Sequence, residues 1–196
     1  MPEQLSLPGL GPSGQRDFLF FALLLEDSET SRIVELRRQL CRECRLEGRQ
    51  VIRPSHLHVS LHGFREYDGL PRALVQMAMT AGASISVQPF VIEFDRAMSF
   101  RRNTRERPFV LRAARNPGTL VALHKILGEA IRRAGWRDVN ASFTPHMTLL
   151  YDRRLVAERE VEPVQIQARS FFLVHSLRGR GVYRHLARWP LQDERS

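Results

Sequence analysis

The feature that most constrains this chain is a four-residue pattern that occurs twice, as His58-Val59-Ser60-Leu61 and His146-Met147-Thr148-Leu149. Histidine, an apolar residue, a hydroxyl residue and leucine in that order have a chance expectation of about 0.04 in a chain of this composition. Both copies lie in alternating segments. Around the first, Leu57, Val59 and Leu61 fall on one face of a strand and His56, His58, Ser60 and His62 on the other. Residues 145–152 alternate in the same way. Each segment is predicted to be a half-buried strand that presents an imidazole beside a hydroxyl.

That pairing has a chemical use. Histidine titrates near neutrality, so of two imidazoles brought together one can be neutral while the other is protonated. One then activates an attacking oxygen while the other protonates a leaving oxygen, each role contributing about 10²–10⁴ in rate. The hydroxyls of Ser60 and Thr148 would hold phosphoryl oxygens between them.

The rest of the chain supplies matching elements twice. Asp17–Leu25 reads as a buried, Phe-rich strand. A helix follows, capped by Asp27 or Ser28, with Ile33, Leu36, Leu40 and Cys44 at helical spacing and Gly48 as its stop. A short helix through Leu74 and Met77, strands over 85–95 and 108–113, and a second long helix over 118–134 lead to the second histidine segment. Two further strands, 164–177 and 182–191, flank an RGRG turn. Strand, helix, strand thus occurs around each motif, which implies a duplicated α+β fold built on antiparallel sheets.

Residues 1–16, with three prolines and three glycines, read as a flexible tail ahead of a single domain over 17–196. Within the tail, Gln4-Leu5-Ser6-Leu7 resembles the start of peptides that grip the bacterial sliding clamp. The longest apolar run, Phe18–Leu25, is far short of the roughly 20 residues that span a bilayer. A cytoplasmic monomer with no membrane contact is expected. Cys41 and Cys44 fall inside a predicted helix with no second cysteine pair, so they read as two thiols on one helix face rather than a zinc or redox site. The net charge of +9 is unevenly spread: residues 1–100 carry 11 basic and 12 acidic side chains, and residues 101–196 carry 19 and 9. The excess lies in the loop of Arg101, Arg102, Arg105 and Arg107 and in the hairpin of Arg178, Arg180, Arg184 and Arg188, which would attract a polyanion.

With these motifs, the Pro54-Ser55-His56-Leu57-His58 approach to the first and Thr144-Pro145-His146 at the second, the sequence resembles the two-histidine (2H) phosphoesterase superfamily. The nearest branch is the 2′-5′ RNA ligase-like proteins, the RNA 2′,3′-cyclic phosphodiesterases. The resemblance implies a bilobal fold of two mainly antiparallel sheets flanked by helices, with the motifs facing across a central cleft. It also implies metal-independent opening of RNA or nucleotide cyclic phosphate ends to 2′-phosphates, with no cofactor and with 2′-5′ ligation as the reverse reaction. Carried over, His58 protonates the departing 3′ oxygen, His146 activates water, and Ser60 and Thr148 bind phosphate. The branch commonly has an arginine five positions after the second histidine. Here that position is Tyr151, whose phenol offers a hydrogen bond but no charge, and Arg153, Arg53 or the 101–107 loop are the candidates to supply one.

Two readings compete. His56, His58, His62 and His146 form a nitrogen-rich set for a metal ion, but no carboxylate accompanies them and the two hydroxyls are left unexplained. The alternative function is a non-catalytic RNA- or nucleotide-binding module that keeps the fold, which the neutral Tyr151 makes credible. His124, His175 and His185 read as structural or surface residues.

Overall fold

The computed structural model describes residues 16–101, 105–177 and 180–192. The tail with its Gln4–Leu7 segment, and Arg102 and Arg178 of the basic stretches, lie outside the described residues. The order of elements is β1 (Asp17–Leu24), α1 (Asp27–Cys44), β2 (Gln50–Val51), a 3₁₀ turn (Pro54–His56), β3 (His58–Tyr67), α2 (Arg72–Ala83) and β4 (Phe90–Ser99). It continues with β5 (Arg107–Arg112), α3 (Gly118–Arg133), β6 (His146–Asp152), β7 (Arg159–Ala168), β8 (Ser170–Leu177) and β9 (Val182–Pro190).

All strand pairings are antiparallel, as expected of this α+β chain. The strands, however, form one nine-stranded sheet in the order β7-β4-β5-β6-β3-β1-β8-β9, with β2 on β6, rather than two separate sheets. The reason is local. Four strands on each side pair extensively among themselves, and among the described residues β3 and β6 join the two halves through one bridge, Val59–Met147. Both bridging residues are fully buried.

One contiguous core lies on the helix side of the sheet. It takes Ile33 and Leu40 from α1, Leu74 and Ala78 from α2, Leu120, Leu123 and Leu127 from α3, and Phe21, Val59, Leu61 and Met147 from the strands. The opposite face carries a small cluster of Phe20, Ala22 and Val174 with Phe18, Leu24, Phe172 and Tyr183 against it. Helix periodicity therefore reads correctly, while the ends differ. Glu26, not Asp27 or Ser28, caps α1 in a reciprocal box with Glu29, and Arg45 in a left-handed conformation closes it before Gly48 is reached. The run 164–177 divides into β7 and β8 at Arg169, whose carbonyl receives the Leu191 N–H.

Candidate active site

The Val59–Met147 bridge places the two motifs side by side at the seam of the sheet. In antiparallel register around that bridge, His58 lies toward Thr148 and Ser60 toward His146. The apolar residues between them point into the core, so both imidazoles and both hydroxyls share the face away from the helices.

The two histidines are held identically. His58 Nδ1 lies 2.7 Å from the His56 carbonyl and His146 Nδ1 lies 2.7 Å from the Thr144 carbonyl. A carbonyl only accepts, so each Nδ1 carries the proton, and each Nε2 is the atom that gains or loses one. His58 Nε2 is 2.9 Å from Ser60 Oγ. Aromatic rings pack round both: Phe20 and Tyr183 lie 5.1 and 5.9 Å from His58, and Phe100 sits edge-on to His146 at 4.8 Å. His56 stacks on Tyr183 at 4.0 Å. Burial lowers the His58 pKa, the hydrogen bond to His56 partly offsets this, and charge on His146 and His56 lowers it again. Charge on either imidazole therefore opposes a proton on His58.

Each strand bends at the same place. On β3, Phe21 pairs with His62 and Ala22 with Ser60, leaving Leu61 as an extra residue. On β6, Phe109 pairs with Leu150 and Val110 with Thr148, leaving Leu149 extra. These β-bulges reverse the alternation beyond the hydroxyl. The first one corrects the expectation that His62 shares the motif face: His62 turns into the core, where its Nε2–H donates to the His124 carbonyl at 2.8 Å and its ring stacks on His124 at 3.9 Å. The four-histidine set therefore does not assemble, and among the described residues no group of three or more potential metal ligands converges. The second bulge brings Tyr151 onto the same face as His146 and Thr148, where strict alternation would have buried it. Arg153 lies just past the end of β6, exposed, with its carbonyl accepting from Arg107 Nη1. Arg53 Nη1 donates to the carbonyl of Gly181, the residue before β9.

The sequence reading missed Arg112. It is paired with His146 across β5 and β6, on the motif face, and binds Glu158 through Nη1. Its signal was a lone charge within the otherwise apolar Pro108–Ala113 strand, and its importance depends on a register that spacing does not reveal.

Comparison with known proteins gives the same arrangement a family. E. coli LigT in its apo form is 25% identical over 91% of this chain and 99% of its own, with a TM-score of 0.71. TT0787 of Thermus thermophilus is 21% identical, covers 91% of this chain and all of its own, and has a TM-score of 0.68. Kluyveromyces marxianus Usb1 shares the fold more distantly, at 11% identity over 91% of this chain and 99% of its own, with a TM-score of 0.54. Among curated proteins, none matches the chain in sequence. A profile of the 2′-5′ RNA ligase superfamily matches residues 25–179, which include both histidine strands, both bulges and the seam between them. The chain belongs to the 2′-5′ RNA ligase superfamily of two-histidine phosphoesterases.

Proposed function

We propose that this protein opens 2′,3′-cyclic phosphate ends of RNA or nucleotides to 2′-phosphates, without a metal ion or other cofactor. The observation that carries the reading is the matched pair of imidazoles, each pinned through Nδ1 to the carbonyl two residues back and each beside a hydroxyl on one sheet face. One Nε2 takes a proton from water as the water oxygen bonds to phosphorus. The other donates a proton to the 3′ oxygen as its bond to phosphorus breaks. The incoming oxygen keeps one proton, and the pair ends with its proton count unchanged.

In this reading His58 protonates the 3′ oxygen and His146 activates water. Burial opposes a proton on His58 in the free protein, and the negative phosphodiester favours it once bound. Ser60 and Thr148 hold phosphoryl oxygens, Tyr151 donates one hydrogen bond from the same face, and Arg153 adds charge at the rim. With a 5′-hydroxyl in place of water, the same steps join RNA ends through a 2′-5′ linkage as the 3′ oxygen departs.

Two further facts support a nucleotide substrate. E. coli LigT has been crystallised with phosphate, with 3′-AMP and with ATP. In this chain two rings at the site are each followed by an exposed arginine: Phe100, which touches His146, precedes Arg101, and Tyr183, which touches His56 and His58, precedes Arg184. Wild-type protein in a chelator is expected to convert 2′,3′-cyclic AMP to a monophosphate. Inactivity on cyclic AMP and on short RNAs with cyclic ends, combined with tight RNA binding, would favour the binding-module alternative.

A further inference from the structure

The motif face lacks a cation at residue 151, yet a phosphodiester brings one negative charge and gathers more on its oxygens as water attacks. Strand register offers a replacement. On β5, Arg112 is paired with His146 and Val110 with Thr148, so Arg112 belongs to the motif face. Directly opposed residues have Cβ atoms about 4.5–5.5 Å apart, and an arginine side chain spans that gap easily. On β4, Arg96 is paired in turn with Arg112. A row of His146, Arg112 and Arg96 thus runs across three strands.

The partners of the two arginines differ. Arg96 is neutralised by Asp95 and by Glu160, at 3.5 and 2.8 Å. Arg112 uses Nη1 alone, on Glu158 and on the Met98 sulfur. Its Nε–H is buried and has no hydrogen-bond partner among the described residues. Buried N–H groups of a charged side chain are seldom left unmatched, so this one calls for a partner that the described residues do not supply. Nε and Nη2 form the fork of a guanidinium that matches two oxygens of a phosphoryl group. Glu158 on Nη1 fixes the plane, Nη2 has no hydrogen-bond partner among the described residues, and Nε is reached once the side chains covering it shift.

We infer that Arg112 is a phosphate-binding residue of this site, gripping the phosphoryl group between His58 and His146 and supplying from β5 the charge that position 151 lacks. The inference rests on the phosphoesterase reading above, and the experiment separates the two. Wild type, Arg112→Ala and Arg112→Lys are compared for turnover of 2′,3′-cyclic AMP and for binding of inorganic phosphate, with thermal melting as the control for folding. Arg112→Ala is expected to lose about 10²-fold in kcat/KM and at least about tenfold in phosphate affinity, with partial recovery in added guanidinium. Arg112→Lys keeps the charge without the fork and is expected to fall between, about tenfold below wild type. If Arg112→Ala melts early, Arg112→Lys decides alone. An active wild type with either variant within twofold of it in turnover and phosphate affinity overturns the inference and leaves the reaction standing. An inactive wild type overturns the reaction, and phosphate affinity then decides whether Arg112 binds the anion.

Discussion

The strands β3 and β6 start alike and end differently. Both have a histidine pinned by Nδ1, a buried residue at the seam, a hydroxyl, and a bulged leucine at Leu61 or Leu149. Beyond the bulge, β3 sends His62 into the core and leaves Gly63 against the Phe18 ring, where an added Cβ would come within 2.6 Å. β6 instead places Leu150 in the core and shows Tyr151 on the motif face. The shared half is what a two-sided proton transfer needs. The half that differs packs into the core on one strand and, in the proposed reading, faces the anion on the other. A histidine's role here follows from which nitrogen the backbone takes: Nδ1 in His58 leaves Nε2 for chemistry, whereas His62 gives Nε2 to His124 and has no exposed function.

The largest expected effect tests the shared half. His58→Ala and His146→Ala should each lower kcat by about 10²–10⁴, measured on 2′,3′-cyclic AMP, and the double variant should lose little more than either single one. A large loss from one and a negligible loss from the other would break the symmetry of the comparison. The wild-type pH profile of kcat/KM should be bell-shaped, because activity requires one imidazole protonated and the other neutral.

Acid stability comes next and belongs to the β3 side of the comparison, where His62 of β3 packs on His124 of α3. Burial, the neighbouring His62 and Arg132 bring the His124 pKa down to about 4, and burial also lowers that of His62. The unfolded chain therefore binds protons first as pH falls. Stability is full above pH 6.5, declines toward pH 4 by roughly 3 kcal/mol for His124, and levels off below. His124→Phe, which keeps a ring against Phe143, should flatten that decline in denaturant titrations at pH 7.5 and 5. An unchanged slope would mean the pair does not set the acid limit.

The smallest effect compares the hydroxyls. Ser60→Ala and Thr148→Val should each cost about tenfold in kcat/KM, the value of one hydrogen bond to a charged group. A loss confined to Thr148→Val would show that the β6 side alone holds the phosphoryl oxygens.

Much of this was legible in the sequence for a physical reason. The 3.6-residue spacing of Ile33, Leu36 and Leu40, and of Leu120, Leu123 and Leu127, marks α1 and α3, and alternation around His58 and His146 marks both histidine strands. Simple alternation was also what misled. It assigns a face by counting residues in twos, and an extra residue at Leu61 or Leu149 reverses the count, so His62 was placed on the motif face and the favourable side of Tyr151 could not be read. The single seam bridge and the Arg112–His146 pairing are contacts between distant segments, which no local pattern encodes. The charge excess of residues 101–196 could be counted, but its link to the site became visible only through Phe100 and Tyr183.

The central claim is tested most directly by identifying which hydroxyl carries the phosphate after turnover. Phosphorus NMR of wild-type protein acting on 2′,3′-cyclic AMP in a chelator should show adenosine 2′-phosphate as the product, with the signal absent for His58→Ala. Formation of the 3′-phosphate, or a 2′-phosphate that persists when both His58 and His146 are alanine, would contradict the account.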